Sequence, residues 1–273
     1  LAELKQLDFY VARLVKYPKM LQLVQNWYPA GFIFLTSQGG GKRSNLTKKE
    51  IFMIKAVIFD MYETLITQYG GPVYFRAQMA ADAGIDPVLF DALWIPSEND
   101  RTIGKQTLEE TIEQILRQTG KYSKEIFQTI ITGRKAAKAD SFRHLHPEII
   151  PMLQTLKEKQ IKIGLISNCY SEEAVLIRES QLFSYFDQAC LSYELGMKKP
   201  DPGIFLKCME GLGVRAGECL YIGDGGSYKL EAADIMGMTA LQARWYIKEV
   251  PELDIRKEKF EQLETPIAVL EKI

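Results

Sequence analysis

The sequence predicts an α/β fold: a mostly parallel sheet flanked by helices, with a helical domain inserted after the first strand. Three observations carry that expectation. Apolar runs rich in β-branched residues recur as "IKAVIF" (54–59), "IKIGLI" (161–166) and "CLYIG" (219–223), with a weaker "QACLS" at 188–192. Such runs are typical of strands covered on both faces. Helical segments lie between them, and strands alternating with helices imply right-handed crossovers and parallel pairing. Finally, almost a hundred residues separate the first two runs, far more than one crossover needs.

Taken in order, residues 1–28 show helical spacing, with Leu4, Leu7, Val11 and Leu14 on one stripe and Leu21, Val24 and Trp27 or Tyr28 on another. "FIFL" offers a short strand, and "TSQGGGKRSNLTKKE" reads as a flexible basic linker. That stretch resembles a phosphate-binding loop only superficially. Thr36 stands where the first glycine belongs, and Arg43 where a Ser or Thr should hold magnesium. In the inserted stretch, Pro72 and Asp86-Pro87 are candidate helix starts. "TLEE" at 107–110 is a capping-box pattern, and Ile126, Phe127, Ile130 and Ile131 mark a last helix. Further helices are expected over 147–159, 172–181, 202–212 and 228–236. The division that follows is an N-terminal extension over 1–52, a core over 53–66 and 147–273, and a helical cap over 67–146.

Composition narrows the function classes. The chain has 273 residues, is 47% hydrophobic and 25% charged, and carries a net charge of −1. That balance gives no reason to expect nucleic acid or membranes as partners. The first 52 residues hold a surplus of five positive charges, which the remainder more than offsets. Cys169, Cys190, Cys208 and Cys219 form no CxxC pair, which argues against a disulfide framework or a zinc site. No apolar run approaches the roughly 20 residues of a membrane span. A protein of the cytoplasm is the expectation.

The ligand site of such a sheet lies at the carboxyl ends of its strands. Asp60, Ser167 and Asp224 all fall at or just past such ends. Each alone has an ordinary reading: helix cap, turn residue, surface lysine in the case of Lys199. In order, however, "DMYET" (60–64), "LISN" (165–168), "KKPDPGIF" (198–205) and "YIGDGGS" (221–227) resemble the four motifs of the haloacid dehalogenase-like hydrolases, over roughly residues 53–245. The helix "HPEIIPMLQTLKEKQ" ahead of the second motif is similar to that family's usual approach, and an inserted helical cap matches its C1 subgroup.

The resemblance implies a Rossmann-like core and a magnesium-dependent phosphatase acting on a small phosphorylated metabolite. In that reading Asp60, Ser167 and Lys199 are catalytic, and Thr64, Ser167, Asn168 and Lys199 hold the substrate. Mg2+ would be held by Asp60, the backbone carbonyl of Tyr62, and Asp224. The chemistry agrees. Phosphoryl transfer needs an in-line nucleophile and positive charge to offset the equatorial oxygens, and a hard cation lets two carboxylates face a dianion.

Two residues depart from the pattern. The family's phosphatases carry a second aspartate two positions after the nucleophile, as general acid and base; here Tyr62 stands there. A phenol titrates near pH ~10 and replaces it poorly, and general acid–base help is worth roughly 10²–10⁴-fold. Glu63 is adjacent, but in an extended segment it points to the opposite face. Lys229, five residues past Asp224, occupies a position that is commonly acidic in related sequences. It would repel a cation or take over part of its charge role. A Tyr at the 62 offset is also similar to the family's 2-haloacid dehalogenases, which displace halide without a metal. Halide displacement, and a weak phosphate-binding role, therefore stand as alternatives. Phe75, Arg76 and Trp94 are candidates for substrate choice by type alone.

Overall fold

The computed structural model describes residues 53–250 and 252–273. The helices, strand and linker expected over residues 1–52 lie outside the described residues. Within them, no helix is long and apolar enough to cross a membrane.

Strand β1 (Ala56–Phe59) is followed by a helical insertion: α1 (Arg76–Ala83), α2 (Pro87–Trp94), α3 (Glu98–Thr102), α4 (Leu108–Gln118) and α5 (Lys124–Asp140). Helix α6 (Ile149–Glu158) leads to β2 (Lys162–Ser167), then α7 (Ser171–Glu179), β3 (Gln188–Leu191), α8 (Ser192–Leu195) and α9 (Pro202–Leu212). The chain closes with β4 (Cys219–Gly223), α10 (Lys229–Met236), β5 (Thr239–Ala243) and β6 (Glu261–Leu263). The six strands form one sheet in the order β3-β2-β1-β4-β5-β6, and every pairing is parallel. The first four strands lie where the apolar runs place them. Strands β5 and β6 were not anticipated, being short and interrupted by Gln242 and Gln262.

Strand alternation splits the core in two. Val57 and Phe59 pack with Met152, Leu153 and Leu156 of α6 on one face. Ala56 and Ile58 pack with Phe205 and Cys208 of α9 and Leu230 of α10 on the other. Helices on both faces are why β1 reads as an unbroken apolar run and is wholly buried.

The insertion has its own core, with Met79, Phe90, Trp94, Ile112, Leu116 and Ile130 at its centre. Its helices begin where the local chemistry dictates. Asp86 accepts from the N–H groups of Val88 and Leu89, with Pro87 in the first turn. The Thr107–Glu110 capping box forms in both directions, at 3.1 and 2.8 Å. Pro72 does not start a helix. Residues 72–75 form no helix; there the Tyr74 carbonyl accepts from Arg134 at 3.2 Å and its hydroxyl donates to Asp82 at 2.5 Å. Helix α1 begins only at Arg76.

The strand order sets the site. From β1 the chain builds outward through β2 and β3, then returns to the other side of β1 for β4 to β6. The carboxyl ends of β1 and β4 therefore meet at the point where the order reverses, where open α/β sheets leave a crevice. Asp60 follows β1 and Asp224 follows β4.

Candidate active site

Asp60 is fixed before its side chain does anything. Its N–H donates to the Ile222 carbonyl at 2.9 Å, continuing the β1–β4 ladder one residue past the strand. Its Oδ1 accepts from the Met61 N–H at 2.8 Å. The carboxylate is 3% exposed and meets two ammonium groups. Lys199 Nζ lies 2.5 Å from Oδ1, and Lys229 Nζ contacts Oδ2. Burial pushes the Asp60 carboxyl up, but the two lysines outweigh it and hold the group below the usual carboxylate range. It is ionised at neutral pH.

Lys199 is held from several sides. Its ammonium also donates to the Ile166 carbonyl at 2.7 Å. Its backbone is clamped by Asn168, whose amide donates to the Lys199 carbonyl at 2.9 Å and accepts from its N–H at 2.7 Å. Burial pulls the Lys199 ammonium down to about 8, against the raising effect of Asp60. Asn168 thus acts on Lys199 first, a link that no sequence motif displays.

Lys229 is reached through an unusual piece of backbone. Ser227 and Tyr228 both sit at positive φ, +53° and +54°, just ahead of α10. Two successive non-glycine residues in the left-handed region cost of order 1–3 kcal/mol each and collect at functional sites. The lysine emerges from this turn and contacts Asp60 and Asp224 together. Burial lowers its ammonium and the two carboxylates outweigh burial, so its pKa is raised. Asp224 is held in turn by Gln242, whose amide donates to its carbonyl at 2.7 Å.

The remaining expected residues fall into place unevenly. Ser167 is wholly buried at the end of β2, with its hydroxyl 3.4 Å from the Asn168 carbonyl. Thr64 is buried with its hydroxyl unpartnered, while its carbonyl accepts from the Trp245 indole at 2.7 Å. Tyr62 lines the cavity with a buried hydroxyl that has no hydrogen-bond partner, and burial raises that phenol well above its ordinary value. Glu63 makes its own contacts. It sits at φ +55°, with its carboxylate accepting from Thr67 Oγ1 at 2.6 Å and the Gln68 N–H at 3.0 Å. Burial pushes this carboxyl above the usual carboxylate range, against the lowering effect of its two hydrogen bonds, and the negative charge of Asp224 adds to the rise. Glu231, two residues after Lys229 on α10, is buried and pairs with Lys257 at 2.9 Å.

A cavity of about 510 Å³ opens over Asp60, lined by Tyr62, Asn168, Lys199 and Lys229 on one side and by Phe75, Thr102, Arg134 and Lys138 of the insertion on the other. Of the insertion's three candidates only Phe75 lines it. Arg76 pairs with Asp91 at 3.2 Å on the surface, and Trp94 is buried under Arg101. Arg134 and Lys138 were not anticipated. One turn apart on α5, they meet Glu172 and Glu173 of α7: Arg134 reaches them at 3.2 and 3.6 Å, and Lys138 reaches Glu173 at 2.5 Å. All four side chains are at most 5% exposed. Removing one partner from such a group leaves an uncompensated buried charge. Arg134→Met is expected to destabilise the fold by about 3–5 kcal/mol, read as a lower urea midpoint; a change within 1 kcal/mol would show that the ion pairs do not hold insertion to core.

Magnesium fits this arrangement poorly. Two of its expected ligands, Asp60 and Asp224, are joined by the ammonium of Lys229 at the place the ion would occupy.

Asp60 is thus a buried, ionised carboxylate between two lysines, at the switch point of a parallel sheet and facing a helical insertion. The chain belongs to the haloacid dehalogenase-like hydrolases, whose defining pattern matches residues 54–236. It is 24% identical over 209 residues to a glyceraldehyde 3-phosphate phosphatase of Methanopyrus kandleri, covering 70% of this chain and 84% of that one. Its fold is similar to that of a phosphatase of the same family from Thermococcus onnurineus, with a TM-score of 0.58, 20% identity, and coverage of 80% and 97%. It is also similar to a family enzyme of Bacteroides thetaiotaomicron solved with magnesium and inorganic phosphate, with a TM-score of 0.50, 20% identity, and coverage of 70% and 94%.

Proposed function

We propose that this chain hydrolyses a small phosphorylated metabolite through an aspartyl-phosphate on Asp60. The observation that carries the reading is the Asp60 carboxylate, ionised and aimed into the cavity between Lys199 and Lys229. In the first step an Asp60 oxygen attacks phosphorus and the ester P–O bond breaks, releasing the leaving group with its electron pair. In the second, water attacks the acyl phosphate, inorganic phosphate departs, and Asp60 is restored. Lys199 offsets charge on the phosphoryl oxygens, Ser167 donates to one of them, and Asn168 keeps Lys199 in place. The insertion serves as a cap, and its cavity suits a metabolite of a few carbons better than a polymer. Relatives named for phosphatase activity on a triose phosphate support the reading.

The acid that would protonate a leaving alkoxide is missing. Tyr62 holds its proton too tightly to exchange it near neutral pH, and Glu63 is engaged in its own turn. The expected result is that aryl and acyl phosphates turn over more than about 10²-fold faster than alkyl phosphates, the lower end of what general acid catalysis supplies. Initial rates on a matched pair of esters check this, and equal rates would show that another group protonates the leaving oxygen.

Tyr62 and Lys229 together favour a second reading, displacement of halide from a 2-haloacid by the same carboxylate. Halide leaves without a proton, and the positive charge on Lys199 and Lys229 suits a carboxylate substrate. Asp224, at the end of β4 within "GDGG", favours phosphate chemistry by the family pattern.

A further inference from the structure

We infer that the ammonium of Lys229 stands permanently in the place of a divalent cation, so that this hydrolase works without one. Its Nζ contacts Asp60 Oδ2 and Asp224 Oδ1 at once, which is the position of a cation bridging the carboxylates that follow β1 and β4. The lysine is 8% exposed. Its stem lies close against the end of β4: a Cβ on Gly223 would come within 3.1 Å of its Cδ, so the glycine leaves the room the stem uses. The left-handed turn at Ser227 and Tyr228 aims it inward rather than toward solvent.

The charge balance agrees. Asp60 and Asp224 are matched by Lys199 and Lys229, and a divalent ion added to this set would face two ammonium groups at close range. Magnesium also demands a near-octahedral shell of oxygens. Here two oxygens are already spent on an ammonium. An ammonium has three donors; two go to the carboxylates and the third is left to face the cavity that Lys229 lines. A single charge with one free donor can hold a phosphoryl or carboxylate oxygen where an ion's open coordination position would. This inference rests on the position of the lysine and holds for either substrate class.

Manganese binding to the full chain, read from the paramagnetic signal of free Mn2+, tests it. The wild-type chain is expected to leave that signal unchanged, whereas Lys229→Ala should gain one bound Mn2+ and lose it again on adding Asp224→Asn. Lys229→Gln keeps the stem against Gly223 and serves if the alanine variant does not fold. Mn2+ bound by the wild-type chain and lost on Asp224→Asn would overturn the inference. Binding by neither wild type nor variant would overturn it too, since the carboxylates would then not form a cation site. Calorimetry with inorganic phosphate in chelator separates this from the phosphatase reading. Manganese results as expected without phosphate binding would sink that reading and leave Lys229 in its role.

Discussion

Asp60→Asn is expected to lower turnover of an aryl phosphate by roughly 10⁴-fold or more, the scale seen when a covalent nucleophile is removed. The amide keeps the shape of the side chain and loses its charge, so no acyl phosphate forms. The same substitution has a second consequence. Lys229 keeps Asp224, but Lys199 is left with neutral acceptors, the Ile166 carbonyl and the amide oxygen of the substituted side chain, in place of its carboxylate. Leaving a buried ammonium without its carboxylate costs about 3 kcal/mol or more. The variant should therefore show both a lost rate and a lower urea midpoint. A variant that kept its rate within tenfold would remove Asp60 from the chemistry, whatever happened to its stability.

The second large effect is on pH. Burial brings Lys199 down to about 8, so its charge is lost in a range where most lysines keep theirs. Turnover should fall as pH rises through about 8, because the ammonium that offsets phosphoryl charge disappears. Lys199→Met should cost roughly 10²–10³-fold at neutral pH, the worth of one well-placed donor, and abolish that basic limb. Unfolding does not imitate the limb through this group. A lysine whose native pKa lies below its unfolded value of 10.5 leaves the native state with fewer protons between about pH 8 and 10.5. Stability contributed by Lys199 therefore rises with pH across that window. A pH–rate profile beside thermal melts at each pH checks both signs. A rate constant from pH 7 to 10 would show that Lys199 is not the titrating group.

Much of this was legible in the chain before its structure. β1, β2 and β4 announce themselves because both faces are covered, so their residues are mostly apolar. The residues at their ends, Asp60, Ser167 and Asp224, could be placed at one edge from the parallel topology alone. β5 was not legible: Gln242 is fully buried in it because its amide ties Asp224 to the Ile255 carbonyl, and a polar residue in a five-residue strand erases the pattern. Arg134 and Lys138 continue the buried stripe of Ile130 on α5, yet charges at helical spacing read as a solvated face. Only the tertiary placement of Glu172 and Glu173 lets them be buried.

The departures at 62 and 229 were visible as residue types, but their geometry was not. Glu63 was expected on an extended segment and instead turns left-handed, with its carboxylate bonded to Thr67 and the Gln68 N–H. Lys229 could have pointed to solvent from the first turn of α10. The positive φ angles at Ser227 and Tyr228 decide otherwise, and non-glycine residues there give no warning in sequence.

The central claim is a phosphoryl group carried on Asp60. It is tested most directly by rapid acid quench of the enzyme turning over an aryl phosphate, followed by mass spectrometry of its peptides. The account predicts a single added phosphoryl group on the peptide containing Asp60, absent in Asp60→Asn. Steady turnover with no phosphoryl group on that peptide, or with one on another residue, would contradict it.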